Sequence, residues 1–148
     1  MEIEWNFILR IFVAGLLGGL IGFEREVRSK EAGLRTHFLV ALGSALFMVI
    51  SQYAFSGRFD AARVAAQVVS GIGFIGAGII IFQKNVVRGV TTAAGLWVAA
   101  AIGLACGAEM YDVAVAATIM TLACLETMHI ITNRIHKGEN KEDEHHHQ

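Results

Sequence analysis

Residues 61–82 read AARVAAQVVSGIGFIGAGIIIF, and this stretch decides the fold. Its apolar run is long enough to cross the hydrocarbon core of a bilayer, which takes roughly 20 residues as an α-helix. The same run contains Gly71, Gly73 and Gly76 in a G-x-G-x-x-G spacing, which in soluble proteins is typical of a dinucleotide-binding turn. The two interpretations belong to different classes of protein, and the surrounding residues separate them.

The sequence around these glycines does not fit a dinucleotide site. Such a site needs a β-strand before the glycines and an acidic residue about 20 positions after them. Leu96 stands 20 positions after Gly76, and no Asp or Glu occurs between Asp60 and Glu109. The preceding residues continue one helical run. Residues 70–78 are therefore interpreted as part of a membrane-spanning helix.

The composition of the whole chain supports a membrane protein. Of the 148 residues, 55% are hydrophobic and 17% are charged, whereas soluble domains carry about a quarter charged residues. Strands are disfavoured because the apolar runs are long and lack alternation. We predict an all-α bundle of five transmembrane helices in one domain (residues 1–132), followed by a polar tail (133–148) that is expected to be disordered. The predicted helices are residues 6–23, 34–55, 61–82, 90–106 and 110–132.

Basic residues predict the orientation of the bundle. The first and third connections and the C-terminal tail contain nine Lys and Arg residues, against two near the second connection, Arg58 and Arg63. The positive-inside rule predicts that the side rich in basic residues is cytoplasmic. The N-terminus is thus expected outside and the C-terminus in the cytoplasm, in a multi-pass protein of the bacterial inner membrane.

Small residues predict where helices approach closely. Lipid gives little hydrophobic drive for helix association, so glycines at spacings of three and four favour close backbone contact. The first helix has two overlapping G-x-x-x-G pairs, and the third has a ridge of small residues. We expect helix packing, and a homo-oligomer with a dimer favoured, through these positions: Gly15, Gly18, Gly19, Gly22, Gly73, Gly76 and Ala77.

A polar stripe follows one face of the third helix: Asp60, Arg63, Gln67 and Ser70. Polar side chains facing lipid are costly, so the stripe is expected to face the bundle interior, a partner subunit or water. In one interpretation Asp60 pairs with Arg63 near the outer surface and Gln67 joins two helices. In the other, the stripe is a polar path that enters from the outer face.

A second polar group is predicted at the cytoplasmic side, with residues 24–31 as a possible surface helix. Glu126 is costly near the end of the fifth helix unless an arginine pairs with it. The group is either ordinary surface charge, or a pocket that binds a cation, a lipid head group or a partner protein. Its members are Glu24, Arg25, Glu26, Arg35, Thr36, His37, Arg88, Thr91, Thr92 and Glu126.

Residues with catalytic or metal-binding chemistry are scattered. Cys106 and Cys124 lie in different apolar runs, and no nucleophile has a positioned base. The tract of His145, His146 and His147 is a weak metal signal, a tag remnant or simply part of the tail. We expect a non-enzymatic protein that binds no nucleic acid and needs no cofactor, with Mg²⁺ as the one cofactor left open.

Three blocks in order, GFEREVRSKEAGLRTHFLVALGSALF (22–47), DAARVAAQVVSGIGFIGAGII (60–80) and VRGVTTAAGLWVAAAIGLACG (87–107), resemble the MgtC/SapB family of bacterial inner-membrane proteins. The likeness covers residues 16–125. The resemblance implies a five-helix membrane domain, here similar to the short form without a C-terminal cytoplasmic domain. The positions that match the family's motifs are Glu24, Arg25, Glu26, Arg35, Thr36, His37, Arg63, Gln67, Ser70, Thr91, Thr92 and Trp97.

The resemblance also implies a role in magnesium limitation, intracellular survival (virulence) and modulation of other membrane proteins. Our first hypothesis is a non-enzymatic membrane protein that supports adaptation to low magnesium or host stress by regulating a membrane-protein partner. The alternative is a transporter or channel for Mg²⁺ or another cation, with Asp60–Ser70 as its outer path and Glu126 near its inner exit.

Overall fold

The computed structural model describes residues 5–54, 61–83 and 85–127, and these contain five helices. The first four are α1 (Trp5–Val27), α2 (Leu34–Tyr53), α3 (Ala61–Ile79) and α4 (Val90–Gly107); α5 occupies residues 111–127. By length and composition, α1 to α4 can each cross a membrane. The predicted all-α membrane bundle is confirmed, whereas the orientation of its ends stays a prediction. The predicted tail, residues 133–148, lies outside the described residues.

The third predicted helix was wrong at its end. Helix α3 stops at Ile79, and the next residues form an antiparallel hairpin of β1 (Ile81–Gln83) and β2 (Val86–Arg88). β-Branched and aromatic side chains favour this conformation. Asn85 takes φ 61°, a left-handed conformation that Asn tolerates better than most residues, and Gly89 takes φ 85° directly before α4. The apolar run alone did not reveal this turn.

The connection after the first helix also differs from its prediction. Residues 24–27 continue α1 instead of forming a surface helix, and the chain then turns tightly through residues 28–33. The backbone N–H of Lys30 donates to the carbonyl of Arg25 at 3.0 Å, and Ser29 takes φ 52°. The turn keeps the charged end of α1 beside the start of α2.

Helices α1, α2 and α4 pack closely through glycines. A Cβ placed on Gly18 of α1 would lie 2.5 Å from the Cβ of Ala41 and 2.6 Å from the carbonyl oxygen of His37. On α4, a Cβ at Gly107 would lie 2.7 Å from the carbonyl oxygen of Ala45. Helix α5 joins this core through Ala114, which is buried. We call α1, α2, α4 and α5 the packed helices.

Helix α3 lies at the periphery and packs mainly against α4. Its Ile72 joins Leu96 and Ala100 of α4 in a small apolar cluster. By contrast, Phe74 is 85% exposed, and a Cβ placed on Gly73 would meet no atom within 4 Å. Most of the surface of α3 is therefore open in the single chain.

Candidate functional site

Charged side chains form a network at the predicted cytoplasmic end of the packed helices. Glu24 accepts from Arg25 at 2.5 and 2.8 Å and from Arg28 at 3.2 Å. Arg28 also forms an ion pair with Glu126 of α5. The network joins the end of α1 to the end of the described α5. Arg28, the residue between the two carboxylates, was not among the predicted site residues.

Two further carboxylates, those of Glu26 and Glu31, accept hydrogen bonds from the first turns of α2 and α4. The carboxylate of Glu26 accepts from the backbone N–H of Leu34 at 2.8 Å, which places it at the N-terminus of α2. The hydroxyl of Thr92 donates to Glu31 at 2.7 Å. This hydrogen bond is the main cause that lowers the pKa of Glu31 below its usual range. The first contact joins the end of α1 to the start of α2, and the second joins the turn to the start of α4.

A pocket of about 750 Å³ lies between these elements. Four basic residues line it and Glu31 is the one acidic residue that does so among the described residues, so the lining is positive overall. Although Arg25 and Arg28 are already paired with Glu24, Lys30 and Arg88 leave an excess of positive charge over Glu31. The electrostatics thus favour an anionic ligand over a cation. The polar residues that line the pocket are Arg25, Arg28, Ser29, Lys30, Glu31, Arg88, Thr91 and Thr92.

Three residues predicted for the same cluster lie elsewhere. His37 is fully buried, its Nδ1 lies 3.0 Å from the carbonyl oxygen of Gly33, and its Nε2 finds no hydrogen-bond partner among the described residues. A Cβ on Gly95 would lie 3.2 Å from that Nε2. Arg35 and Thr36 face a different space, the groove between α2 and α3. The predicted cytoplasmic cluster is therefore divided.

The opposite end contains a polar centre that the sequence interpretation missed. Arg10 of α1 is 2% exposed and forms an ion pair with Glu109. Its guanidinium also donates to the carbonyl of Gly107 and to the hydroxyl of Tyr53, each at 3.1 Å. A lone arginine inside an apolar span is costly without partners. That cost was the signal that could have identified it.

The polar stripe of α3 is only partly within the described chain. Asp60 lies outside the described residues, and Arg63, Gln67 and Ser70 are exposed. Gln67 lines the same groove as Arg35, whose volume is about 830 Å³. A polar path through the bundle interior does not follow from these positions, because the stripe is at the surface of the single chain.

The predicted packing residues have two kinds of surroundings. On α1, a Cβ at Gly15 would lie 2.8 Å from the ring of Phe38 and one at Gly22 would lie 2.7 Å from the carbonyl oxygen of Gly33, while Gly19 has only ordinary contact distance. On α3, Gly76 faces Ala93 at 3.5 Å, Gly73 meets nothing, and Ala77 is exposed. The spacing predicted contact on both helices, but within one chain α3 has little.

The described residues do not form a metal site of the usual kind. Among residues 5–54, 61–83 and 85–127, no group of three or more His, Cys, Asp or Glu side chains could hold a metal ion. Cys106 is buried and Cys124 is exposed, and both are free. The predicted histidine tract at residues 145–147 lies outside the described residues.

The fold and charge distribution define a multi-pass membrane protein with polar centres at both ends of a glycine-packed bundle. The model of the MgtC family matches residues 11–134. The chain belongs to the MgtC family, which makes it a multi-pass protein of the bacterial inner membrane. No solved structure matches the chain.

Three relatives give the range of similarity. "Putative magnesium transporter YhiD" of Escherichia coli (strain K12) is 47% identical over 137 residues, which are 88% of this chain and 64% of the relative. Protein MgtC of Brucella abortus (strain 2308) is 56% identical over 74% of this chain and 46% of its own length. Protein MgtC of Salmonella typhimurium (strain LT2) is 49% identical over 78% and 49%. The chain thus spans less than two thirds of the length of these relatives.

Proposed function

We propose that this protein is a non-enzymatic regulator that supports adaptation to magnesium limitation or host stress by binding another membrane protein. The name of one relative, "Putative magnesium transporter YhiD", connects the family both to magnesium and to transport. The choice between regulator and transporter rests on whether the carboxylates at the two ends of the bundle are paired with arginines or are free to bind an ion.

The pairing of these carboxylates carries the proposal. Mg²⁺ dehydrates reluctantly and is usually held through carboxylates. Glu24 and Glu126 are bound by arginines at one end, and Glu109 is bound by Arg10 at the other. An ion entering either end would meet Glu24, Glu126 or Glu109 with its charge already offset by an arginine. This arrangement supports a structural role for the charges more than an ion path.

The open surface of α3 supports partner binding. Arg63, Gln67 and Ser70 are exposed on a helix that crosses the membrane, and polar side chains that face lipid are costly. Gly73 leaves the backbone accessible for close approach of another helix. A partner helix would satisfy both features. The first such partner is a second copy of the chain, as a dimer, and the regulated membrane protein is the second.

A flux measurement separates regulation from transport. We expect proteoliposomes that contain the purified protein and an entrapped Mg²⁺ indicator to take up Mg²⁺ no faster than empty liposomes under an inward gradient. A strain that lacks the gene should nevertheless grow poorly at low Mg²⁺ and recover when the wild-type chain is restored.

The matched variant is Glu126→Gln, which removes the charge and keeps the size of the side chain. Under the regulator proposal this variant shows the same background flux as the wild type. Rapid Mg²⁺ uptake by the wild type that disappears in Glu126→Gln would establish the alternative, a Mg²⁺ transporter. Normal growth of the deletion strain at low Mg²⁺ would remove the proposed role in magnesium adaptation.

A further inference from the structure

The groove between α2 and α3 is separate from the charge network, and of the residues named for the partner surface it contains only Gln67. Its volume is about 830 Å³ and it runs from Arg35 and Thr36, at the start of α2, to Phe47 near the end of that helix. Its walls are apolar over most of this length. Ala100 of α4 also lines it, which places its inner wall against the packed helices.

Two glycines give the groove its width. Gly43 of α2 and Gly71 of α3 both line it, and a Cβ placed on either would meet no atom within 4 Å. The space is therefore not filled by neighbouring side chains. A bilayer does not leave an apolar groove of this size empty, because unfilled space forfeits the dispersion contacts of its walls.

The groove is slightly longer than one leaflet. Arg35 and Phe47 both line it and are twelve residues apart on α2, which corresponds to roughly 18 Å along a helix. One leaflet contributes about 15 Å of hydrocarbon. Val64 and Gln67 line the remaining part, on the first half of α3. A single acyl chain that starts at Arg35 would end within the apolar section.

Arg35 supplies a positive charge at the mouth of the groove. It is exposed in the first turn of α2, and within the part of the chain that the structure describes it forms no ion pair. A basic side chain at the membrane surface attracts anionic lipids by about 1 kcal/mol. The charge is complementary to a phosphate, and the apolar walls are complementary to an acyl chain.

We propose that this groove binds an anionic phospholipid of the leaflet on the predicted cytoplasmic side, with one acyl chain between α2 and α3 and the phosphate at Arg35. The basic mouth and the apolar walls are together complementary to a phosphate joined to an acyl chain. Occupation by a helix of a second copy is an outcome that the test below separates. The proposal is independent of the regulated partner.

Native mass spectrometry of the full chain in a mild detergent tests this site with two probes, phosphatidylglycerol and phosphatidylcholine of identical acyl chains. We expect one retained lipid per chain, with phosphatidylglycerol preferred about fivefold. Gly43→Leu and Gly71→Leu fill the groove without a clash and should lower the retention of both lipids by about tenfold. Arg35→Gln should keep binding and lose the preference for phosphatidylglycerol.

The control is Ala66→Leu, which adds bulk to an exposed position of α3 that does not line the groove. It should retain lipid as the wild type does, and thermal melting should show that all variants are folded. Absence of retained lipid in the wild type, or equal losses in Gly71→Leu and Ala66→Leu, would overturn the proposal. A change of oligomeric mass in Gly71→Leu with lipid retention unchanged would assign the groove to a second copy instead. An unchanged preference in Arg35→Gln would refute the phosphate position.

Discussion

The glycines of α1 and those of α3 have similar spacing and different surroundings. On α1, Gly18 and Gly22 bring the backbone against α2, where a Cβ would lie 2.5 to 2.7 Å from neighbouring atoms. On α3, Gly71 and Gly73 face no atom within 4 Å. Small-residue spacing therefore predicts close approach of a helix but does not identify the surface that approaches. On α1 that surface is α2 of the same chain, whereas at Gly71 and Gly73 of α3 the single chain provides no contacting surface.

The strongest test of this comparison places the same side chain on both helices. Gly18→Leu forces the new Cβ against Ala41 and the backbone of His37, and overpacking of this kind costs about 3 kcal/mol or more. We expect the variant to lose its folded state at much lower SDS in a mixed-micelle titration. The large effect follows because the obstructing atoms include backbone, which cannot rotate away.

The matched variant is Gly73→Leu, which should change the unfolding free energy by no more than about 0.5 kcal/mol. Its effect is expected instead on self-association, measured as the fraction of dimer in detergent, because the leucine separates helices that meet at α3. Equal destabilisation by the two variants would show that α3 packs inside the chain. An unchanged dimer fraction would place the self-association surface elsewhere.

The second test compares the polar residues of the same two helices. Arg10→Leu removes the donor to Gly107 and Tyr53 and the ion-pair partner of Glu109. Glu109 keeps the hydrogen bond that the side-chain amide of Asn6 donates to it at 2.9 Å. Glu109 is half-exposed and can reach water, so we expect a loss of about 2 kcal/mol of unfolding free energy rather than the full cost of a buried unpaired charge. Thermal and SDS unfolding of the detergent-solubilised protein measure this loss.

Gln67→Leu is the control on α3, where the side chain is exposed and lines the groove. Removing its amide should change the unfolding free energy by less than about 0.5 kcal/mol. If Gln67→Leu cost as much as Arg10→Leu, the polar stripe would be satisfied within the single chain, and the contrast between the packed helices and α3 would fail.

These contrasts show which parts of the structure could be predicted from the sequence. The apolar runs predicted the number of helices, because each must satisfy its own backbone in lipid. The cost of an unpaired Glu126 predicted an arginine near it, and the structure places Arg28 there. Which arginine it would be depended on the tight turn after Val27, which no local signal specified.

Other features depended on contacts between distant residues. Arg10 and Glu109 are 99 positions apart, and their pairing requires α1 and α4 to lie side by side. The hairpin of β1 and β2 could not be predicted from hydropathy, because most of its residues are as apolar as those of the helix before it. The predicted cluster is divided because Arg35 and Thr36 line the groove and His37 is buried, while the pocket is lined by residues of the turn and of α4.

The smallest expected effect concerns the contact that joins the turn after α1 to the start of α4. Thr92 donates to Glu31, and this bond lowers the pKa of Glu31. A carboxyl with a depressed pKa stabilises the folded state above its unfolded pKa, and this contribution is lost as the pH falls through the folded value.

Because Glu31 is exposed, the contribution is less than about 1 kcal/mol. Glu31→Gln should therefore melt slightly lower than the wild type at neutral pH and converge with it in acid. Asp112→Asn, which changes an exposed carboxyl on α5, serves as the control. A constant difference between Glu31→Gln and the wild type across the acid range would mean that the side chain acts through size or packing, and not through its charge.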